Sequence, residues 1–302
     1  MRTALGVVLL VTSSLAAAQE RIADFQNSVR LEYQYISTGT LDTGVGPLDI
    51  GETDTHVGLL SGVFSLGKRW KMFGSIPYVQ KRHTGALPHD FTEFAEYTPP
   101  DLRLIDDGHF HGGLQDLYGG VQYLAVEGQF SVSPHISYGI PGSDYPFYGN
   151  AAIGKNLREI PIGVFLEFTP YFSDWYFQAD VSYVFTESVL GVDLDYWLAY
   201  LSASFYVTPR FAPRVFVTSR RAPNALRFPE DFTDDFSPDD FDNEFYYRHD
   251  QTLKHEFINA GIGFDYIVSD HYEISATYYR TIDPTYVAEI DYAFTFALTR
   301  RF

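Results

Sequence analysis

Three groups of residues in this 302-residue chain have the types and spacing to do chemistry. His135 and Ser137 lie two apart on an extended stretch and so share a face. With an Asn from a neighbouring strand to orient the imidazole, they could serve as base and nucleophile of a lipid-hydrolysing barrel enzyme. That chemistry needs both side chains on the outer face, whereas Val132, Ile136, Tyr138 and Ile140 claim that face and turn the pair inward. His109 and His111, with His83, His89, Asp106 and Asp107 in the same connection, could supply two imidazoles and a carboxylate to a divalent ion. The plainer reading is a solvated loop.

The third group is the segment 228–250, with nine carboxylates and Arg248 as its one base. Asp239 and the alternating Asp240, Asp242 and Glu244 offer oxygen ligands, but the glycine and distal Glu of an EF-hand loop are missing. They are candidate contacts for divalent cations, including those that bridge lipopolysaccharide. Phe228, Phe232, Phe236, Phe241 and Phe245 recur through the same segment and could fold it over an opening as a lid or plug. No phosphate-binding loop, dinucleotide fingerprint or nucleophile elbow occurs, and the absence of cysteine removes thiolate metal sites. No catalytic residue, resident metal or cofactor is expected.

The elements that carry these groups have a period of two. Val29, Leu31, Tyr33 and Tyr35 alternate with Arg30, Glu32 and Gln34, and Trp175, Phe177, Ala179, Val181, Tyr183 and Phe185 with Gln178, Asp180 and Ser182. Such alternation describes strands with one apolar and one polar face. Twelve segments qualify: 28–37, 54–64, 70–82, 113–125, 130–141, 158–168, 175–185, 194–206, 211–220, 253–267, 272–280 and 287–302. Five connections are short turns, and those between them, such as 38–52, 83–112 and 221–252, are mostly long. An even number of strands with short turns at one end and long loops at the other is the pattern of an outer-membrane barrel. A soluble sandwich would also alternate, but its turns would not sort by length.

In a barrel the apolar set faces lipid and aromatics gather near strand ends. Tyr33, Tyr35, Trp70, Tyr78, Tyr138, Phe168, Trp175, Tyr183, Tyr196, Phe211, Tyr266, Tyr272 and Tyr278 suit that girdle. Arg30, His56, Lys71, Gln122, His135, Asp180, Arg214, Glu273 and Asp291 then face a polar lumen. Pro77, Pro134, Pro161 and Pro213 fall inside these strands, where a missing ladder donor has to be accommodated.

Arg2, the apolar run from Ala4 and Ala16-Ala17-Ala18 have the three parts of a secretory signal peptide. Residues 1–18 are therefore expected to be removed, leaving 19–302 as one barrel domain. The charge of −18 argues against nucleic acid as a partner. It is concentrated in the six longer loops, which hold 22 of the 39 acids and 5 bases. Such a rim would discourage anions and attract cations over a Debye length of about 8 Å.

The final strand ends in Phe294, Phe296, Leu298 and Phe302, which resembles the C-terminal signal read by the barrel-assembly machinery. Arg300 departs from that pattern and could snorkel. The run from Gly113 to Tyr123, then Glu127-Gly128 and Ile140-Pro141-Gly142, together with Gly261–Tyr266 and Tyr278–Thr281, carries a second resemblance. It is similar to the outer-membrane transporter family grouped under the MetA pathway of phenol degradation. That resemblance implies a barrel of about this size and a role in uptake of small, often aromatic compounds.

The expectation is an all-β, up-and-down antiparallel barrel of about twelve strands in the outer membrane, passing small solutes passively. Its partners would be lipid, lipopolysaccharide, the assembly machinery and the solute. At this size side chains largely fill the lumen. Selectivity would fall to Arg30, Lys71, Asp180, Arg214 and Arg220 and to the mouth loops. A closed structural or surface-interaction barrel is the alternative outside transport.

Overall fold

A computed structural model describes residues 27–44, 46–85, 103–227 and 248–302. The signal-peptide reading, His89, the Asp239–Glu244 cation contacts and the phenylalanines from Phe228 to Phe245 lie outside those residues. The first six strands are β1 (Ser28–Asp42), β2 (Pro47–Leu66), β3 (Trp70–Thr84), β4 (His111–Leu114), β5 (Asp116–Tyr123) and β6 (Phe130–Pro141). They are followed by β7 (Glu159–Phe168), β8 (Trp175–Thr186), β9 (Tyr196–Phe205) and β10 (Phe211–Arg221). A single helical turn, α1 (His249–Thr252), precedes β11 (Glu256–Ser269), β12 (Tyr272–Thr285) and β13 (Ala288–Arg301).

All neighbours pair antiparallel, and β1 bonds both β2 and β13, so the sheet closes on itself. Both β4 and β5 pair with β3 and form one interrupted strand, making a twelve-membered barrel. Closure removes every free edge, which a sheet in lipid cannot leave unpaired. The seam sets residues 28–41 against 288–301, with Ser28 opposite Arg301, and Phe302 N donates to Asn27 O at 2.9 Å.

Burial alternates as the apolar pattern requires. Leu31, Ile136, Ile162, Val215 and Phe296 are exposed on the outside, while Arg30, His135, Arg214 and Thr295 are buried on the inside. Three assignments need correction. Tyr196 is inner rather than part of the girdle, because it sits in phase with inward Leu198 and Tyr200, and its hydroxyl donates to Glu159 at 3.1 Å. His56 is outer, in phase with Gly58 and Leu60, and its Nδ1 lies 2.7 Å from the Tyr33 hydroxyl. Asp291 is exposed at a bulge between the pairs Ser37–Tyr292 and Thr38–Ile290, which reverses the local parity and buries Ile290.

The strands also extend past the expected bounds. The connection 38–52 is mostly paired strand, because β1 runs to Asp42 and β2 starts at Pro47. Connection 281–286 shrinks likewise, because β12 runs to Thr285 and β13 starts at Ala288.

Each strand proline lies where one ladder has a gap or an end. The β5–β6 ladder stops at His135, next to Pro134, and the β9–β10 ladder starts at Arg214, next to Pro213. The β6–β7 ladder skips from Ile162 to Glu159 across Pro161. Pro77 has the largest consequence. Opposite it β4 gives way to β5, Gln115 N donates to Pro77 O at 3.1 Å, and the Gln115 side chain turns inward.

Inward glycines let large lumen side chains lie against the wall. A Cβ on Gly261 would stand 2.4 Å from Phe216 Cζ and 2.6 Å from Tyr278 O. Gly261→Val is therefore expected to lower the urea midpoint by an overpacking penalty of about 1–3 kcal/mol. Gly119→Ala, on the outer face with nothing within 4 Å, is expected to leave it unchanged.

Candidate functional site

The inner wall is stratified from the short turns to the long loops. Nearest the short turns it is ionic and balanced. Arg30 pairs with Glu32 at 3.0 Å, Arg301 with Glu273 at 2.6 Å and Arg214 with Asp265 at 3.9 Å, and Lys71 is buried at the same end. Midway, His135 Nε2 meets Asp180 Oδ2 at 3.0 Å, and Ser182 Oγ donates to the other oxygen at 2.9 Å. Gly163 makes room for this network, because a Cβ there would meet Ser182 Oγ at 2.3 Å and His135 Nε2 at 2.7 Å.

The next level is aromatic. Phe216 lies between Tyr200 and Tyr279, with ring centroids 6.2 and 6.1 Å away. Val57 and Val79 continue the same apolar cluster across the barrel.

At the long-loop end two segments fold into the barrel and plug it. One is 142–157, between β6 and β7; the other is 248–255, carrying α1. Ile153 and Leu253 insert into the apolar cluster with Val79 and Phe257, as core residues would in a soluble domain. Polar groups lock the segments to the wall and to each other. Gln115 Nε2 donates to Ile153 O at 2.6 Å, and Lys81 Nζ to Ala152 O at 3.2 Å. Lys155 Nζ donates to Gln251 O at 2.9 Å and Leu253 O at 3.1 Å, and Gln251 Nε2 returns a bond to Lys155 O at 2.6 Å. Asp106 accepts from Asn150 N at 3.0 Å and Ala151 N at 2.8 Å, and Asp250 accepts from Gly149 N at 2.7 Å.

Charge at this level is segregated in an unusual way. The carboxylates are met by neutral donors: Asp106 by the two amides, Asp116 by the Tyr145 hydroxyl at 2.5 Å, and Glu159 by Tyr118 and Tyr196. The cations Lys81, Lys155 and Arg220 are all buried, and none lies within ion-pair distance of a carboxylate among the described residues. Arg220 stacks its guanidinium 3.8 Å from the Tyr196 ring centroid. Burial pushes the Lys155 ammonium well below its ordinary range, and Arg220 adds to the shift. The His255 imidazole is pushed the same way by burial first, then by Lys155, Arg220 and Lys81.

The residues singled out in the sequence divide between the two faces. Arg30, Lys71, Asp180, Arg214 and Arg220 are all buried on the inner wall. His135 and Ser137 are inner as well, but the imidazole bonds Asp180, and Ser137 Oγ has no hydrogen-bond partner among the described residues. A nucleophile–base pair is not assembled. The described histidines and acids of 83–112 separate instead of converging. His83 is inside, with Nδ1 2.9 Å from Thr53 Oγ1 and Nε2 3.3 Å from Asn150 Nδ2, and Asp106 holds the plug.

Asp107 stays at the surface with His109 and with His111, whose Nε2 lies 2.8 Å away. The His111 hydrogen bond, foremost, holds the Asp107 carboxyl below its usual range. Among the described residues no group of three metal-type side chains converges. Phe302 is exposed, and the Arg300 guanidinium lies 5.1 Å from its ring, so the departing arginine packs on the terminal aromatic.

Sequence reasoning missed the plug. Ser143–Asn156 carries no periodicity, and its anchors are single residues on distant strands. The available signal was Lys155 and Ile153 amid small residues, in a loop with little charge beside its acidic neighbours.

The fold is that of outer-membrane barrels. An outer-membrane channel from Pseudomonas putida F1 superposes with a TM-score of 0.68 at 10% identity, over 94% of this chain and 100% of that one. The translocator domain of the autotransporter NalP from Neisseria meningitidis gives 0.54 at 12% identity, over 97% and 93% of the two chains. The NanC porin gives 0.50 at 10% identity, over 91% and 100%. No family model and no curated protein matches the chain.

Proposed function

We propose that this barrel is an outer-membrane channel for passive uptake of small molecules, held shut at its outer mouth by its own inward-folded loops. The observation that carries the reading is the inner wall, where Arg30, Lys71 and Arg214 stand near the short turns, Asp180 midway and Arg220 at the plugged end. Ionisable groups are expensive in a dry interior and cheap beside water. A purely structural barrel of this width would be better stabilised by an apolar filling. The closure is also of a kind that can move: segments 142–157 and 248–255 are loops, whereas the wall is continuous sheet. The short turns would then be periplasmic and the plugged end extracellular. Uptake of small aromatic compounds, as the resemblance to the MetA-pathway transporters implies, is compatible with the level formed by Tyr200, Phe216 and Tyr279.

Gln115→Leu tests the reading. It removes the bond to Ile153 O and leaves that carbonyl unmet, a penalty of about 1–3 kcal/mol on the closed state alone. In planar bilayers the variant is expected to raise the open fraction about tenfold over the parent protein, with unchanged unitary current. Silence from both proteins, when both migrate as folded barrels, would argue for the structural alternative.

A further inference from the structure

Arg220 and His255 are buried donor groups at the plugged end whose bonding among the described residues is incomplete. Arg220 is 2% exposed and His255 1% exposed. Nε and Nη1 of the arginine and both ring nitrogens of the histidine have no hydrogen-bond partner among the described residues. A guanidinium donates in a planar fork, and a neutral imidazole always has one N–H to place. Leaving such groups unmatched costs about 1–3 kcal/mol apiece, more for the charged one. Lys155 and Lys81 lie in the same neighbourhood. The acids near them, Asp106, Asp250, Asp116 and Glu159, are engaged by backbone amides and tyrosine hydroxyls. Among the described residues, the Arg220 fork is thus a buried cation with two donor nitrogens that meet no acceptor.

We propose that Arg220, on the wall strand β10, is the binding residue for the carboxylate of a small monoanionic solute, presented to the lumen when the plug segments that carry Lys155 and His255 withdraw. The proposal rests on the channel reading for its place in a transport path. The two are otherwise separable, because binding needs no current. Arg220 belongs to the wall strand β10 and stays in place, whereas Lys155 and His255 belong to the plug segments. A carboxylate is the complement the fork calls for: two acceptor oxygens in the plane of two N–H donors. Tyr196, stacked on the guanidinium, keeps the fork flat and oriented. The acidic rim would lower the local concentration of anions but not their selection. The inner site would admit a single negative charge that the mouth loops by themselves disfavour.

Equilibrium dialysis of radiolabelled benzoate against the full chain in detergent micelles, with benzamide as the neutral competitor of the same shape, tests the site. The parent protein is expected to bind benzoate saturably, and benzamide is expected not to displace it. Arg220→Gln is expected to weaken binding at least tenfold while Arg210→Gln, in the exposed turn between β9 and β10, leaves it unchanged. Equal displacement by benzamide, equal binding by Arg220→Gln, or no saturable benzoate binding would each overturn the proposal. The benzamide arm needs no variant, so a misfolded substitution cannot blur the result. Benzoate binding without any bilayer current would remove the channel reading and leave the site. Current with no charge preference and no benzoate binding would do the reverse.

Discussion

Asp106→Ala is expected to turn a mostly closed barrel into a mostly open one. The carboxylate accepts from two successive plug amides, those of Asn150 and Ala151. Alanine leaves both N–H groups buried without that acceptor, and each such group costs about 1–3 kcal/mol. In the open state water meets the same amides, so the whole penalty falls on the closed state. Summed, about 2–6 kcal/mol is a shift of roughly 30-fold or more in the open-to-closed ratio. Single-channel recording reads this directly, as long openings replacing brief ones. Because Asp106 lies outside the strands, heat-modifiable migration of the folded barrel should be unchanged. An unchanged open fraction would show that the 142–157 segment is held by apolar packing alone.

Acidification should open the parent barrel, and His255→Gln should abolish most of that response. Closed, His255 is kept neutral by burial and by Lys155, Arg220 and Lys81, which face it from the plug loop, β10 and β3. Open, a solvated imidazole titrates near its ordinary value of about 6.5. The sign follows from linkage. Below that value the open state binds a proton that the closed state refuses, so closure weakens as the pH falls. Each pH unit between the open and closed pKa values is worth about 1.4 kcal/mol, or tenfold in the open fraction. The acids Asp106, Asp250 and Glu159 at the same level are retained in the glutamine variant. Comparing open fraction against pH in the two proteins isolates the histidine. Parallel curves would remove His255 from the gating.

Much of the barrel could be read from the chain because lipid imposes its period on every strand. Leu31, Ile162 and Phe296 show their faces without any knowledge of their neighbours. The reading failed where something local broke the period. The Asp291 bulge hid the inward turn of Ile290, and Tyr196 has the right residue type for a girdle but the wrong phase. His56 looked luminal because it is polar, yet it bonds Tyr33 on the outer surface. The prolines were legible as irregularities but not as causes: nothing near Pro77 says that its missing donor will break the facing strand and aim Gln115 at the plug. The inner wall residues followed from parity. The plug did not, because Gln115, Lys155 and Asp250 come from three separate parts of the chain and meet only once the barrel has closed.

The seam between β1 and β13 has a kinetic side. Every other wall pairing joins strands adjacent in the sequence, counting β4 and β5 as one, and can zip locally as hairpins. Pairing residues 28–41 with 288–301 instead requires the two extremes of the sheet to find each other. That single step carries the largest loop-closure entropy of the fold and the greatest sequence separation, the property that slows β-topologies most. Until it occurs, a curved sheet with two long unpaired edges is exposed to self-association. The aromatic end of β13 is one half of that seam, so catalysis of barrel closure would act there. Shortening β13 by its final turn should therefore slow barrel closure far more than it lowers the stability of barrels that do form.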